Sequence, residues 1–194
     1  MRVIAGSARR MNLVTPKGED TRPTQDRIKE TLFNMLQNEV PGCVFVDLFA
    51  GSGGIGIEAL SRGARHAYFV ENGKEAAACV AENLRHTHLE EKGTLLKQDV
   101  VLALRNIHEK EADIVYLDPP YEAGQYLRTL SQLAAMSWVT DDTLILVECP
   151  IHEELEGIGD LGLRIVREKN YKTNRHLFIK RKACDEDSSL SGQL

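Results

Sequence analysis

Hydrophobic positions along this chain keep a regular beat. Ile28, Leu32, Phe33, Met35 and Leu36 recur at helical spacing, which predicts a helix from near Thr24 to near Asn38, closed by Pro41-Gly42. From Cys43 onward short apolar runs alternate with amphipathic ones. The pattern predicts strand Val44 to Phe49, helix Ile55 to Arg62 ending at Gly63, strand Ala67 to Glu71 and helix Lys74 to His86. Strand Thr94 to Lys97, helix Val100 to His108, strand Asp113 to Leu117, helix Tyr126 to Met136 and strand Thr143 to Glu148 continue it. Such alternation predicts a mostly parallel α/β sheet covered on both faces, with ligands at the carboxyl ends of the strands. Two last runs, Arg164 to Asn170 and Arg175 to Arg181, predict an antiparallel pair at the sheet edge. Residues 2–5 and 11–14, around Gly6-Ser7-Ala8-Arg9-Arg10, predict a small hairpin ahead of the sheet.

Composition narrows the class. With 194 residues, 42% hydrophobic and 27% charged, the chain has the profile of one folded domain, expected over residues 1–182. Within it, 1–22 form a hairpin extension and 23–182 the catalytic core, while the acidic tail 183–194 is expected to be disordered. No apolar run approaches the roughly 20 residues that span a bilayer, and the opening Met-Arg-Val-Ile-Ala-Gly lacks a signal-peptide pattern. A cytoplasmic protein that avoids membranes is therefore expected. Cys43, Cys79, Cys149 and Cys184 form no CxxC pair, which fits reduced thiols rather than a zinc site or a disulfide framework. His86 and His88 lack a nearby third ligand, so no metal is expected, and Trp138 reads as packing.

Charge is unevenly spread. The net charge is −5, yet residues 1–30 carry +3, residues 31–163 carry −12, residues 164–182 carry +7 and the tail −3. An acidic middle between two basic segments excludes bulk coating of nucleic acid, and allows a localised patch for a polyanion.

Two motifs carry the chemistry. Asp47-Leu48-Phe49-Ala50-Gly51-Ser52-Gly53-Gly54-Ile55-Gly56 falls where the first strand turns into its helix. Glycines there permit left-handed backbone and let a ligand lie against bare amides, as in dinucleotide and S-adenosylmethionine sites. Asp47 would repel a pyrophosphate but attract a cationic amino group, which favours S-adenosylmethionine over NAD. Glu71, ending the second strand, suits a pair of ribose hydroxyls, or is a plain loop acid. Asp99, ending the third, either accepts from an adenine amine or caps the next helix.

Asp118-Pro119-Pro120-Tyr121 follows the fourth strand. Two prolines fix the turn and remove two backbone donors, leaving the Pro119 carbonyl and the Asp118 carboxylate as acceptors for a planar amine. Tyr121 can stack on the attached base. Two acceptors facing the amine hydrogens turn its lone pair out of the ring and toward a sulfonium methyl group, so positioning and electrostatics suffice.

These motifs, with the opening Met-Arg-Val-Ile-Ala-Gly-Ser, the run Thr21-Arg22-Pro23-Thr24 leading to Lys29-Glu30-Thr31-Leu32-Phe33-Asn34, and Gly56-Ile57-Glu58-Ala59-Leu60-Ser61-Arg62-Gly63, resemble one family across residues 1–182. The chain resembles the bacterial RsmD-type methyltransferases, which methylate the N2 amine of a guanine in small-subunit (16S) ribosomal RNA. The resemblance implies a Rossmann-like S-adenosylmethionine-dependent fold with a seven-stranded, mostly parallel sheet whose last strand is antiparallel. It implies cofactor contacts at Asp47, Phe49, Ala50, Gly51, Ser52, Gly53, Gly56, Glu71, Asn72 and Asp99, and methyl transfer at Asp118, Pro119, Pro120 and Tyr121. RNA contacts would fall to Arg9, Arg10, Arg22 and Thr24, with Arg2, Arg27 and the segment Lys169 to Lys182 as further phosphate candidates. Thr24 equally suits a helix cap. Where the family often carries glycine after the first hairpin's arginine, this chain reads Arg9-Arg10-Met11-Asn12. A monomer acting on ribosomal RNA, naked or within an assembled or assembling 30S subunit, is the expected setting. A DNA adenine-N6 methyltransferase uses the same corner and is the alternative. An NAD-dependent oxidoreductase has no use for that corner, and an RNA-binding module on a retired scaffold would not bind the methyl donor.

Overall fold

The computed structural model describes residues 1–16, 23–120 and 124–182, without the side chains of 23–25. The expected acidic tail lies outside these residues. Seven strands form one sheet: β1 (Val44–Asp47), β2 (His66–Val70), β3 (Gly93–Leu96), β4 (Ile114–Leu117), β5 (Leu144–Pro150), β6 (Leu163–Asn170) and β7 (Asn174–Arg181). Helices α1 (Pro23–Met35), α2 (Gly54–Ser61), α3 (Lys74–His86), α4 (Val100–Arg105) and α5 (Gln125–Ala134) cover it. The strand order is β3-β2-β1-β4-β5-β7-β6, with β1 to β5 parallel and β7 antiparallel to both of its neighbours. The expected antiparallel pair therefore exists, but its second strand enters beside β5 and leaves β6 as the edge.

Strand β1 ends at Asp47, two residues before the predicted end at Phe49. Leu48 still donates its amide to the Tyr116 carbonyl at 3.0 Å, and the chain then leaves the ladder for the glycine turn. Helices α1, α4 and α5 stop two to three residues short of the predicted ends, where their last apolar residues continue in turns. Alternate residues of each central strand face opposite layers, as the pleat requires. Val44, Val46, Val115, Leu117, Ile145 and Val147 pack with α4 and α5, whereas Phe45, Phe69, Ile114, Tyr116 and Leu146 pack on the other face.

The N-terminal hairpin departs most from expectation. Instead of two strands it has a single bridge, Arg2 to Asn12. The two limbs still exchange backbone hydrogen bonds, Val3 to Met11, Arg10 to Val3 and Leu13 to Met1, and helix side chains take further backbone groups of the segment. Glu58 in α2, completely buried, accepts from the amides of Ile4 at 2.8 Å and Ala5 at 3.0 Å, and from Arg62 Nε at 2.7 Å. Ser61 Oγ accepts from the Ala8 amide at 3.0 Å and donates to the Ala5 carbonyl at 2.6 Å. Buried Lys29 of α1 lies 3.4 Å from Glu58 and donates to the Arg2 carbonyl at 2.7 Å. Gly6, at φ +86°, lies so close that a Cβ there would stand 1.8 Å from the Ser61 carbonyl oxygen. Asn83 of α3 closes the return limb, donating to the carbonyls of Val14 and Ser52 and accepting from the Val14 amide. Helix α2 is therefore buried on the sheet side and on the side the hairpin covers, and the polar residues of its sequence run are clamps on the N-terminal segment.

Glu58 sits with two cations and two amides, so removing it leaves buried groups unpaired. Glu58→Ala is expected to cost about 3–5 kcal/mol of stability, measured by urea unfolding. Amide exchange at Ile4 and Ala5 rises in the same variant. Unchanged stability would show that the hairpin is held by its apolar contacts alone.

Candidate active site

The glycine turn is built by its neighbours. Gly51 and Gly53 take φ +53° and +84°, the left-handed backbone that a side chain disfavours. Ala50 donates to the Val70 carbonyl and Gly53 to the Ala50 carbonyl, which tie the turn to β2 and to itself. Glu71 accepts from the Gly51 amide at 2.8 Å with one oxygen and from the Gly73 amide at 2.7 Å with the other. A carboxylate has further lone pairs, so Glu71 can still accept from hydroxyls while holding the turn. Gly56 serves packing: a Cβ there would stand 2.4 Å from the Phe69 ring, and its amide donates to Asp47 Oδ2 at 3.1 Å.

A cleft of about 380 Å³ opens at the carboxyl ends of the strands. Of the residues expected there, Phe49, Glu71, Asn72, Asp99 and Pro120 line it. Asp47, Ala50, Gly51, Ser52, Gly53, Gly56, Asp118 and Pro119 are not part of the lining; Asp47 and Ser52 are buried, whereas Asp118 is exposed. Asp99 accepts from the Val101 amide at 2.9 Å as the N-cap of α4, so the capping role is real and the residue still borders the cleft. Four polar side chains of the lining were not singled out from the sequence: Gln98, Gln125, Arg128 and Thr129. Three of these belong to the start of α5, and their only sequence signal is a position five to nine residues beyond Pro120.

Beside the cleft, carboxylates converge. Asp47 pairs in register with Tyr116, and Leu117 with Val147, so Asp47 at the end of β1 and Asp118 just past β4 come beside Glu148 of β5, two residues before that strand ends. Asp47 is buried, and its Oδ1 has no partner among the described residues. Burial, reinforced by Glu71 and opposed by the Gly56 and Phe49 amides, pushes Asp47 up to about 7. Crowding by the protein, then the charges of Glu148 and Asp47, push Asp118 up to about 8. The Asp118 side chain nevertheless keeps an exposed surface, and water at that surface weakens the push.

Glu148 was not read from the sequence, where it was only the end of a strand. It accepts from the Tyr116 hydroxyl at 2.6 Å, from the Asn174 amide nitrogen, and from His176 Nε2 at 2.8 Å. Burial raises Glu148, but the hydrogen bond and charge of His176, with the Tyr116 and Asn174 donors, outweigh it and hold Glu148 below its usual range. His176 is completely buried, and its Nδ1 lies 3.1 Å from the Tyr171 hydroxyl.

Other expected residues lie elsewhere. Arg9 and Arg10 are exposed on the hairpin turn whose residues Ser7 and Ala8 bond to Ser61, at the far end of α2 from the glycine turn. Arg10 takes φ +71°, the backbone that glycine favours. Tyr121, Arg22 and the side chain of Thr24 lie outside the described residues. The basic segment divides: Lys169 and Lys172 flank the β6–β7 turn beside the end of β5, whereas Arg164, Lys180 and Lys182 stand at the opposite end of the sheet. Trp138 is core, its indole donating to the Leu104 carbonyl at 3.1 Å. Among the described residues no cluster could hold a metal ion, and no helix is long and apolar enough to cross a membrane.

Comparison with known proteins fits this geometry. Residues 1–180 match the family described as conserved hypothetical protein 95. The chain is 38% identical to YlbH of Bacillus subtilis, over 83% of this chain and 89% of that protein. It is 36% identical to ribosomal RNA small subunit methyltransferase D of Haemophilus influenzae, over 76% of this chain and 78% of that protein. The solved structure of Escherichia coli yhhF superposes with a TM-score of 0.79 at 30% identity, covering 95% of this chain and 99% of that one. This chain belongs to the conserved hypothetical protein 95 family, the family of the ribosomal RNA small subunit methyltransferase D enzymes.

Proposed function

We propose that this protein methylates the exocyclic N2 amine of a guanine in small-subunit ribosomal RNA, with S-adenosylmethionine as donor. The observation that carries this reading is the convergence of Asp47, Asp118 and Glu148 beside a cleft that Glu71, Asp99 and Pro120 border. Such a site suits a cationic ligand: Asp47 Oδ1 is a buried acceptor without a partner among the described residues, and two of the carboxylates are raised. A dinucleotide pyrophosphate would meet repulsion there. Relatives named as ribosomal RNA methyltransferases favour RNA over DNA adenine as substrate.

Within that reading, Glu71 and Asn72 hold the ribose and Asp99 the adenine amine, while Phe49 packs against the nucleoside. Asp47, buried and outside the lining, acts through its charge and through the start of α2. When bound, the sulfonium donor supplies an electrophilic methyl carbon. Asp118 and the Pro119 carbonyl accept the two amine hydrogens, and Pro119 and Pro120 present no competing backbone donor. Tyr121 stacks on the base. Asp118 holds the proton that the methylated amine sheds, and passes it to solvent through its exposed surface. Lys169 and Lys172, at the same end of the sheet, contact phosphate, and Arg9 and Arg10 reach RNA farther from the target base. The setting is cytoplasmic, with the ribosomal small subunit or its naked RNA as partner and a monomeric enzyme.

Incubation with labelled S-adenosylmethionine and undermethylated small-subunit RNA or subunits tests the reading; label in N2-methylguanosine is expected, and label in N6-methyladenosine alone would overturn it. Asp118→Ala is expected to lower the single-turnover rate by about 10²–10³ while cofactor binding persists. A near-normal rate would exclude the acceptor role.

Proton linkage gives an independent check. Asp47 and Asp118 rise from an ordinary 3.8 to about 7 and about 8, so they favour folding fully below that ordinary value, and the contribution is lost as pH climbs through the raised values. A cation at the carboxylates favours their ionised forms. Affinity for S-adenosylmethionine, measured by calorimetry, is expected to rise from pH 6 to pH 8.5 with proton release, and affinity for uncharged-sulfur S-adenosylhomocysteine to rise less. Parallel pH profiles for the two would refute it.

Phosphate contact is tested by salt. Lys169→Ala and Lys172→Ala are each expected to reduce the slope of log K against log[salt] for RNA binding by about 1, whereas Lys180→Ala leaves it unchanged. Equal effects at all three positions would mean a diffuse field.

A further inference from the structure

Two strands away from the glycine turn, a buried polar chain runs from the β6–β7 turn to the catalytic corner. Tyr171 meets His176, His176 meets Glu148, and Glu148 takes the Tyr116 hydroxyl two residues before Asp118. Asn174 donates to the remaining Glu148 oxygen. All of these side chains belong to β4, β5, β7 or the turn, and none was part of the motifs read from the sequence. We infer that the buried Glu148–His176 pair is a positioning device for the corner, fixing Tyr116 at the end of β4 and setting how much negative charge Asp118 faces. The inference rests on the reading of Asp118 as the acceptor of the base amine.

The physical case starts from cost. A completely buried histidine and a carboxylate on neighbouring strands lose hydration that a surface pair would keep, and apolar residues of like volume would serve stability as well or better. The pair also sits where charge matters. Asp118, just past the end of β4, lies beside Glu148 of the paired strand β5, and each influences the other's proton. Among the described residues, the groups that act on this cluster include Asp47 from β1, Tyr116 from β4, Cys149 from β5, and Asn174, His176 and Tyr171 from β7 and its turn. Arg175, next to His176 on β7, lies against Cys149 and is held by Glu168 and the Glu153 carbonyl. Among the described residues, His176 is the basic side chain hydrogen-bonded to Glu148. By stabilising the ionised form of Glu148, His176 and Asn174 leave Asp118 as the member of the acidic pair that takes up and releases the proton.

Opposite shifts in two variants separate this from a merely structural role. In Glu148→Gln the negative neighbour is gone, so the titration of Asp118, followed by carbon-13 NMR of labelled aspartate, moves to lower pH. In His176→Gln the two carboxylates share the site without the imidazole that holds Glu148 ionised, and the upper titration step of the pair moves to higher pH. Each displacement is expected to be about half a pH unit or more. Asn174→Ala, at the edge of the network, moves it upward by less and guards against misfolding of the histidine variant. The acidic limb of the single-turnover rate follows the NMR titration in every variant. Titration fixed at the wild-type pH in Glu148→Gln and Asn174→Ala, or moving in one direction in both, overturns the inference. A titration that moves while the rate limb stays put leaves the pair's role intact and removes Asp118 from the chemistry instead.

Discussion

The constraint on which this site depends is the crowding of like charge at the ends of adjacent strands. β1, β4 and β5 are neighbours in parallel register, so Asp47, Asp118 and Glu148 come to one edge because the ladder leaves them nowhere else to go. A slip of one residue would reverse the facing of every side chain on a strand, and the apolar residues just before these acids forbid it. Val46, Val115, Leu117 and Val147 must enter one layer, and Phe45, Ile114, Tyr116 and Leu146 the other. The core thus enforces the acidic cluster, and burial first, then neighbouring carboxylates, raise two of its members. That rise is what a cationic ligand relieves, and ligand binding and protonation become linked at the same atoms.

Stability and chemistry use different parts of the same sequence run. Gly51 and Gly53 shape the turn, while Glu58, Ser61 and Arg62, a few residues later on α2, anchor the N-terminal hairpin. Asn83 joins both tasks, since one amide nitrogen reaches the hairpin's Val14 and the turn's Ser52. The hairpin is thereby coupled to the glycine turn through one buried side chain. A run that is distinctive of the family can therefore be distinctive for architectural reasons, with its polar residues serving the backbone of another segment.

Much of this was legible from the sequence because its signals are local. The alternation of strands and helices follows from hydrophobic period, and the two motifs announce themselves by glycine and proline at strand ends. Glu71, Asn72, Asp99 and Pro120 border the cleft as their strand-end positions imply. What escaped was set by pairing across the chain. Glu148 and His176 face each other only because β7 enters antiparallel between β5 and β6, a choice that no local pattern encodes. Glu58 and Lys29 are ordinary helix charges until the hairpin covers them. The basic run of 164–182 looked like one patch, yet a hairpin folds its lysines to opposite ends of the sheet. The hairpin at residues 2–14 likewise read as two strands; its limbs do pair, but through one bridge and a few backbone bonds, because helix side chains take the amides of Ile4, Ala5, Ala8 and Val14, a choice set by distant residues.

An acidic corner in an enzyme for a polyanion resolves into a division of recognition. Phosphates are repelled by Asp118 and Glu148 and must be held elsewhere, at lysines on the rim or arginines on the hairpin. On the proposed reading an exocyclic amine, in contrast, which brings only donors and a partial positive charge, meets acceptors without competing donors at the diproline turn. The same field that would keep a backbone out draws the base edge in, so selection of base over phosphate is already present in the charge distribution before any shape is matched. The modest negative charge of the whole chain is then consistent with a nucleic-acid enzyme. On that reading affinity comes from a few placed cations, and the carboxylates decide which part of the substrate can approach the methyl donor.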